Sequence, residues 1–195
     1  MPNTNTIPER RAVHQHFVNE IAAAFIAIDE RARESAAQIV IRKMRADDLD
    51  RVTAILAGWN MAPIPASVTL PDPEVPAIPV DTTFVALVNG MIAGVASYVL
   101  AGNDRGQTLV LAVDRAHRKI GIGARLQSAR LAEMKAKGIT SVRTETDRPE
   151  AIEWYVQKFG CRVVGSKPKK HPFSLEGVDH WTVLELDLRT WRPES

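Results

Sequence analysis

The sequence predicts an α/β protein with a mixed central sheet flanked by helices and an additional N-terminal helix. Short β runs alternate with helical patterns, an Asn89-Gly90 turn joins two apolar runs into a hairpin, and two strand–helix units follow that hairpin. The 195 residues are 45% hydrophobic and 25% charged. A chain of this length and composition can form one packed domain without disulfides or metals.

Charge and cysteine content exclude several classes of protein. The 25 Lys and Arg against 23 Asp and Glu give a net charge of +2, too balanced to indicate nucleic acid or a membrane surface. Cys161 is the single cysteine, so no intrachain disulfide or multi-cysteine metal site can form. The early apolar run at residues 21–28 is shorter than the roughly 20 residues of a membrane span, and residues 1–5 lack a basic secretory start. A cytoplasmic protein is expected.

A helix is predicted over roughly residues 9–36, because apolar side chains recur there at spacings of three and four. Its stripe comprises Val13, Phe17, Ile21, Ala24, Phe25, Ile28, Ala32 and Ser35. The stripe must be covered, either by its own domain or by a second copy in a homodimer. We therefore predict an N-terminal helical extension over 1–38, a main domain over 39–189 and a tail over 190–195.

A strand within residues 38–44 opens the main domain. Asp47 is expected to cap the helix after it, whose buried face would comprise Leu49, Val52, Ile55 and Leu56. Six of the chain's 12 prolines lie between residues 61 and 80. They predict an ordered extended loop, either over a substrate cleft or as a bare connection. A hairpin over 82–100 and a strand over 108–113 follow.

The second half of the chain is predicted to contain a helix to about Lys137, a strand over 140–145, a helix over 149–159, a short strand near Val163 and a final strand over 182–188. The first of these helices would end at Gly138. Its predicted buried face comprises Ile122, Leu126, Ala129, Ala132 and Ala136, and the alanines would let the helix lie close to the sheet.

The connection from Val113 to Gly123 points to a phosphate ligand. Glycines at the start of a helix free backbone N–H groups, and the helix dipole attracts anions there. Residues 115–137 also hold seven Lys or Arg and one Glu. Neither the dinucleotide fingerprint, since Leu126 replaces its third glycine, nor the P-loop fits. An R-x-x-G-x-G pattern remains at Arg118, Gly121 and Gly123, although an ordinary strand-to-helix turn could also contain it.

This loop and a downstream helix together resemble the GNAT acyltransferase family. The downstream pattern is Ala151-Ile152-Glu153-Trp154-Tyr155, followed by Gly160, and the resemblance covers about residues 39–189. It implies a GNAT-like acyl-CoA N-acyltransferase fold that holds acetyl-CoA as cosubstrate and uses no metal. The implied CoA-binding residues are Leu111, Ala112, Val113, Arg118, Lys119, Ile120, Gly121, Ile122, Gly123 and Ala124. The chain departs from the family pattern at Arg115, Lys119 and Arg148, where Pro, Gly and Asn are usual.

The resemblance implies that Tyr155 faces the CoA sulfur and protonates the leaving thiolate. From the residues alone, Tyr155 shares a helical stripe with Ile152, Val156 and Phe159 and could instead be a core residue. The general base is predicted to be Glu145, because residues 108–113 carry no acidic side chain where many members have a glutamate. Asp104 and Asp147 are weaker choices, and some members use only ordered water.

The implied activity is acetyl transfer from acetyl-CoA to a primary amine of a small molecule or peptide. The alternative is a non-catalytic acyl-CoA-binding or regulatory domain. A basic loop near the expected acceptor pocket, with Lys167, Lys169, Lys170 and His171, would favour an anionic acceptor, although such loops are usually just solvated. His180 is too isolated for a metal site. We expect no nucleic-acid or membrane partner and a possible homodimer.

Overall fold

A computed structural model describes residues 39–61, 78–170 and 173–193, together with Glu20. The chain divides into two units between residues 38 and 39, and the elements below belong to the unit that begins at Ile39. Three predicted features therefore lie outside the described residues: the helix over 9–36, most of the proline-rich loop, and His171. None of the helices in the described part of the chain has the length and apolar composition needed to cross a membrane.

Seven strands and three α-helices make up the described unit. The strands are β1 (Val40–Lys43), β2 (Thr83–Val88), β3 (Met91–Leu100), β4 (Arg105–Val113), β5 (Ser141–Thr146), β6 (Arg162–Pro168) and β7 (His180–Asp187). The helices are α1 (Leu49–Ala57), α2 (Ile122–Ala136) and α3 (Pro149–Phe159). The predicted mixed sheet with flanking helices is thus confirmed.

One sheet contains all seven strands in the order β1-β2-β3-β4-β5-β7-β6. Neighbouring strands are antiparallel except β4 and β5, which are parallel. The β2–β3 hairpin turns at Asn89 and Gly90, whose φ angles of 50° and 77° are both left-handed. A type I′ turn requires this conformation, so the predicted hairpin and its turn are present.

The start of α1 differs from the prediction. Asp47 is exposed and lies in a 3-10 turn over Ala46–Asp48, so it does not cap the helix. Asp48 instead accepts a hydrogen bond from the Arg45 N–H at 2.7 Å and pairs with Arg42 at 2.6 Å. The cap prediction was wrong, because the residue before α1 is Asp48 and its carboxylate bonds to Arg45 and Arg42 rather than to an N–H group of the helix. The predicted apolar face is correct, with Val52, Ile55 and Leu56 buried and Leu49 half-buried.

The buried face of α2 also differs from the prediction. Ala132 and Ala136 are exposed and Ala129 is half-buried, so the alanines do not form the contact with the sheet. Ile122 and Leu126 are buried as predicted, but the remaining buried side chains are Gln127, Arg130, Leu131 and Met134. The prediction failed because it assigned polar side chains to solvent, whereas this helix buries a glutamine and an arginine.

Glycines of the sheet, rather than alanines of the helix, allow α2 to lie close to the strands. A Cβ added at Gly94 in β3 would lie 2.8 Å from Ile122 Cγ2 and 3.0 Å from Leu126 Cδ1. A Cβ at Gly106 in β4 would lie 2.5 Å from Met134 Sδ. The distances of 2.8 Å at Gly94 and 2.5 Å at Gly106 are shorter than real Cβ contacts, so the close packing of α2 depends on these two positions.

Candidate active site

A cleft opens where β4 and β5 separate. The two parallel strands pair only from Arg105 to Gln107 and from Ser141 to Arg143. One further contact follows, in which the Thr108 hydroxyl donates to Thr144 Oγ1 at 3.0 Å. Beyond it the strands diverge, and the lining of a cavity of about 930 Å³ includes residues 107–113 of β4 and 144–146 of β5.

A backbone irregularity in β4 lies within this cleft. The β3–β4 register pairs Ala96 with Leu111 but Tyr98 with Thr108, so β4 carries one extra residue between these pairs. Such a bulge bends its strand and turns local peptide groups out of the ladder. The Val110 carbonyl, inside the irregular stretch, accepts a hydrogen bond from the side chain of Arg130 in α2.

The loop from β4 to α2 borders one part of the cleft. Asp114 accepts from the Ala116 N–H at 3.0 Å and pairs with Arg51, and the backbone hydrogen bond and this arginine hold the pKa of Asp114 below its usual range. Gly121 precedes α2 with a left-handed φ of 89°, and Lys119 is also left-handed at 65°. The first N–H groups of a helix have no partner within it, and Gly121 to Ala124, where α2 begins, line the cleft.

The structure brings most of the predicted CoA-binding residues to one surface. Those that line the cleft are Leu111, Ala112, Val113, Arg118, Lys119, Gly121, Ile122, Gly123 and Ala124. Ile120 is half-buried and is not part of this lining. A Cβ added at Gly123 would meet only Trp154 and Val113, each at 3.9 Å, so space for one more atom exists there without a clash.

Trp59 and three arginines form a cluster at the cleft. The guanidinium carbons of Arg115, Arg118 and Arg148 lie 4.7, 5.1 and 5.0 Å from the centroid of the indole ring. The indole N–H donates to the Val113 carbonyl at 2.9 Å, which fixes the ring against the end of β4. Cation–π contacts of this kind hold positive charge on an aromatic face.

The side chain of Tyr155 belongs to both the core and the cleft. Its ring packs edge-on against Trp154 with centroids 4.9 Å apart, and only 5% of the residue is exposed. Its hydroxyl oxygen accepts a hydrogen bond from Arg130 Nη2 at 3.1 Å, and both residues line the cleft. Burial raises the pKa of Tyr155, and the neighbouring guanidinium partly opposes that rise. In the predicted stripe, Val156 is exposed and Phe159 is buried.

Glu145 lies in the cleft wall with both carboxylate oxygens engaged. Oε1 accepts from Arg143 Nε at 2.8 Å, and Oε2 lies 3.0 Å from Lys167 Nζ. The glutamate side chain is 13% exposed, so this ion-pair network is largely sheltered. Lys167, predicted to be part of a solvated loop, belongs to β6 and contributes to the cleft lining.

The two weaker candidates for the base lie elsewhere. Asp147 is buried and bonds to Lys169 Nζ at 2.5 Å and to the Leu175 N–H at 2.8 Å. Burial alone would raise the pKa of Asp147, but these hydrogen bonds hold it below its usual range. Asp104 lines a separate polar cavity of about 550 Å³ beside the start of β4. Neither aspartate is among the residues of the main cleft lining.

Two residues of the site were not found by sequence reasoning. Trp59 follows α1 and touches the loop only through the tertiary structure, so no local pattern indicates it. Arg130 stands in a helix that flanks the sheet, where an arginine is expected on the solvent side. Across the described ranges, 39–61, 78–170 and 173–193, no group of three or more His, Cys, Asp or Glu side chains is arranged to hold a metal ion.

Comparison with known sequences identifies a family model that fits this chain. The model, described as the acetyltransferase (GNAT) family, matches residues 41–161 and so includes most of the cleft lining, the loop and Tyr155. A comparison with curated proteins finds no match.

Three solved structures illustrate the shared fold, and two of them are complexes with CoA or a CoA analogue. Ard1 from Thermoplasma volcanium is 21% identical with a TM-score of 0.59, over 77% of this chain and 97% of that chain. Naa50 from Arabidopsis thaliana, in complex with the bisubstrate analogue CoA-Ac-MVNAL, is 17% identical with a TM-score of 0.56, over 76% and 98%. N-acetylglutamate synthase from Neisseria gonorrhoeae, complexed with coenzyme A and N-acetyl-glutamate, is 17% identical with a TM-score of 0.55, over 77% and 35%.

Proposed function

We propose, from the premise that this chain belongs to the GNAT acetyltransferase family, that it transfers an acetyl group from acetyl-CoA to a primary amine of a small molecule or peptide. The observation that carries this proposal is the shared cavity. One lining contains the glycine-bearing start of α2, a place for phosphates, and the buried phenol of Tyr155, a place for proton transfer. Its volume of about 930 Å³ is at the upper end of the usual range for ligand pockets.

The CoA pyrophosphate is assigned to the loop before α2. Backbone N–H groups at Gly121 to Ala124 would donate to phosphate oxygens, and Arg118 and Lys119, both exposed, would add positive charge. The pantetheine arm would follow Leu111, Ala112 and Val113 along the divergent part of β4. Trp59 already occupies the Val113 carbonyl, so a pantetheine amide there would rely on other backbone groups.

The amine must lose a proton before it attacks the thioester. For a lysine-like amine with a pKa near 10.4, deprotonation at pH 7 costs about 4.6 kcal/mol. Glu145 is the proposed base, and it would act through a water molecule because both of its oxygens already accept hydrogen bonds from cations. In that arrangement, the two cations hold the carboxylate in place while the water carries the proton.

Tyr155 is the proposed acid for the leaving thiolate. Its hydroxyl is buried in the cleft wall, where bulk water competes little for the proton. In this role it would give its proton to the CoA sulfur as the carbon–sulfur bond breaks.

An anionic acceptor fits the charge of the cleft. The cations in its lining are Arg118, Lys119, Arg130, Arg148, Lys158 and Lys167, against the carboxylates Glu145 and Glu150. Some of this charge would serve the phosphates of CoA, and Arg148, next to Ser174 in the loop before β7, is the best placed for an acceptor carboxylate. The Neisseria enzyme, crystallised with N-acetyl-glutamate, carries such a group on its product.

Cell compartment and assembly also belong to this proposal. Acetyl-CoA is an intracellular metabolite, so we place the protein in the cytoplasm. A homodimer is proposed because a second copy would cover the apolar stripe predicted over residues 13–28.

A non-catalytic acyl-CoA-binding domain is the second candidate, favoured by the doubly paired Glu145. Release of free thiol from acetyl-CoA, measured with a thiol reagent across a panel of amines that includes amino acids, polyamines and short peptides, separates the two. The enzyme should show amine-dependent thiol release and a product heavier by one acetyl group in mass spectrometry. Tight CoA binding in calorimetry without release from any amine would support the binding domain.

A further inference from the structure

Arg130 is a charged residue that is completely buried. It lies in the middle of α2 with 0% of its surface exposed, and it is also part of the cleft lining. Nη1 donates to the Ser97 carbonyl at 3.0 Å and to the Val110 carbonyl at 2.8 Å. Nη2 donates to the Tyr155 oxygen at 3.1 Å. The guanidinium therefore connects the bulged part of β4 with the phenol of α3.

No carboxylate within residues 39–61, 78–170 and 173–193 pairs with this arginine. Its Nε donates to Gln127 Oε1 at 2.7 Å, so a neutral amide stands where an ion pair would be expected. The Gln127 amide nitrogen is buried and has no partner in the same described residues. Burying an unneutralised cation is costly, and an amide partner leaves the positive charge available to an anion that forms nearby.

The hydrogen bonds of Tyr155 are one-sided. Its oxygen accepts from Arg130, but its own O–H proton meets no acceptor in the part of the chain that the structure describes. A buried hydroxyl normally satisfies both roles. A ligand atom in the cleft would accept the hydrogen bond from this hydroxyl.

We propose that Arg130 is a positioning residue for thiolate protonation, which holds Tyr155 as an acceptor so that the phenol proton is offered to the CoA sulfur. This inference rests on the proposed function. As the thioester carbon–sulfur bond breaks, its electron pair stays on sulfur. The O–H bond of Tyr155 then breaks, an S–H bond forms, and the phenolate oxygen faces Arg130. The phenolate regains a proton through water from the ammonium formed by the attacking amine, so one proton passes overall from nitrogen to sulfur.

Acid–base chemistry explains why a phenol in this position needs a cation. A thiol is ordinarily a stronger acid than a phenol, so proton transfer from tyrosine to a thiolate is unfavourable without help. Burial raises the pKa of Tyr155 further, and the guanidinium opposes this rise. Among the described residues, the titratable groups that act on the phenol are Arg130 and Cys161, whose thiol pKa burial raises to about 11. Cys161 therefore stays neutral, and Arg130 supplies the stabilising charge.

A double-mutant cycle tests this role. Arg130→Met should lower kcat at least about 10-fold, the scale of a lost charge-assisted hydrogen bond, while the Kd for CoA stays within about threefold. In a Tyr155→Phe background, the same change should lower kcat no further, because Arg130 acts through the phenol. Equal losses in both backgrounds would overturn the inference. Lys135→Met, which removes a cation near the end of α2 and outside the cleft lining, is the matched control and should keep wild-type kcat.

A spectroscopic measurement tests the same contact without catalysis. The chain has two tyrosines, so Tyr98→Phe leaves Tyr155 as the single phenol. The Raman doublet of a tyrosine ring distinguishes a phenol that only accepts a hydrogen bond from one that also donates. We expect an acceptor signature in the free protein, loss of that signature in Arg130→Met, and a shift toward donation when CoA is added. A doublet that Arg130→Met leaves unchanged would overturn the inference.

A conservative variant at Arg130 and the activity of the wild-type protein keep these outcomes distinct. Arg130→Lys retains the charge but not the planar fork, so it should recover part of the kcat lost in Arg130→Met, and it replaces that variant if the methionine protein does not fold. A wild-type protein that binds CoA but acetylates no amine would contradict the proposed function, and in that case the Raman measurement alone decides the Arg130 contact.

Discussion

At the scale of single residues, the two glycines around the start of α2 allow the proposed CoA binding to be tested separately from folding. Gly121 has a left-handed φ of 89°, so any side chain there strains the backbone even without a ligand. Gly123 has no such restriction, and an added Cβ meets only ordinary contacts at 3.9 Å. Gly123 is therefore the sharper position for a test.

Gly123→Ala should weaken CoA binding by about 1–3 kcal/mol, because the new methyl group occupies space that the pyrophosphate needs. The free protein should keep its stability or gain up to about 1 kcal/mol, since alanine favours a helix more than glycine does. Calorimetric titration with CoA and thermal unfolding measure the two effects. Equal CoA affinities in both proteins would remove the loop from the binding site.

Tyr155→Phe should lower kcat by about 10²-fold while acetyl-CoA affinity barely changes, because the ring stays and only the proton donor is lost. Steady-state kinetics and calorimetry measure these quantities. If kcat is unchanged and only the melting temperature falls, Tyr155 is a core residue, as its ring contact with Trp154 also allows.

The sequence predicted the location of some site residues but not of others. The positions of Tyr155 and of the loop glycines in the cleft lining were predictable, because a motif and a strand-to-helix turn mark them, whereas their roles stay a prediction. Lys119 was identified as a departure from the family glycine, and its left-handed φ of 65° gives the reason for that preference. Arg130 was not predictable, because its burial depends on partners in β3, β4 and α3 that are distant in sequence.

At the scale of elements, the contact between α2 and the sheet depends on two glycines that face different side chains of the helix. Gly94→Ala should destabilise the protein by about 1–3 kcal/mol, because its methyl group would collide with two branched side chains, Ile122 and Leu126. Gly106→Ala is the matched variant and should cost less, since the flexible thioether of Met134 can move aside. Urea denaturation of both variants measures the difference, and a larger cost at Gly106 would contradict this account of the packing.

The loop before β7 is fixed by a buried ion pair whose effect depends on pH. Asp147 and Lys169 have side chains 0% and 3% exposed. The pKa of Asp147 is lower in the folded protein than its usual value near 4. The stabilisation from this carboxylate is therefore present above about pH 4 and is lost as the pH falls through the folded value.

Asp147→Asn should destabilise the protein by about 3–5 kcal/mol at neutral pH, because it leaves Lys169 buried without a counter-charge. The difference from wild type should shrink as the pH falls below 4. Asp179→Asn, at an exposed pair with His180, is the control and should change the urea midpoint little. A similar midpoint shift in both variants would show that burial is not the source of the effect.

The elements themselves were predicted well, and the reason is local. The helix over 149–159 and the Asn89-Gly90 hairpin were placed correctly because a proline, a terminal glycine and a two-residue turn mark their ends. The alanine face of α2 was wrong because its closeness to the sheet is determined by glycines in β3 and β4, which no periodicity within the helix can reveal.

At the scale of the whole molecule, the assembly state stays a prediction. The stripe at Val13, Phe17, Ile21, Phe25 and Ile28 would forfeit roughly 1.5–3 kcal/mol per side chain if it faced water. Deleting residues 1–36 should give a monomer in light scattering that still binds CoA, compared with a full-length dimer. Early melting or aggregation without a clean monomer would indicate that the segment covers its own domain. Unchanged mass and stability would contradict both versions.

The short pairing between β4 and β5 has a consequence for engineering. Only three residues of each strand pair directly, and Gly138, exposed and left-handed, stands between the two halves of the sheet along the chain. The part of the chain before this turn contains the loop proposed to bind phosphates, and the part after it contains Tyr155. Two fragments divided at Gly138 would therefore each contribute part of one cleft. A CoA molecule that contacts both fragments would stabilise their complex. The same geometry makes the chain a natural template for a split-protein sensor of acyl-CoA.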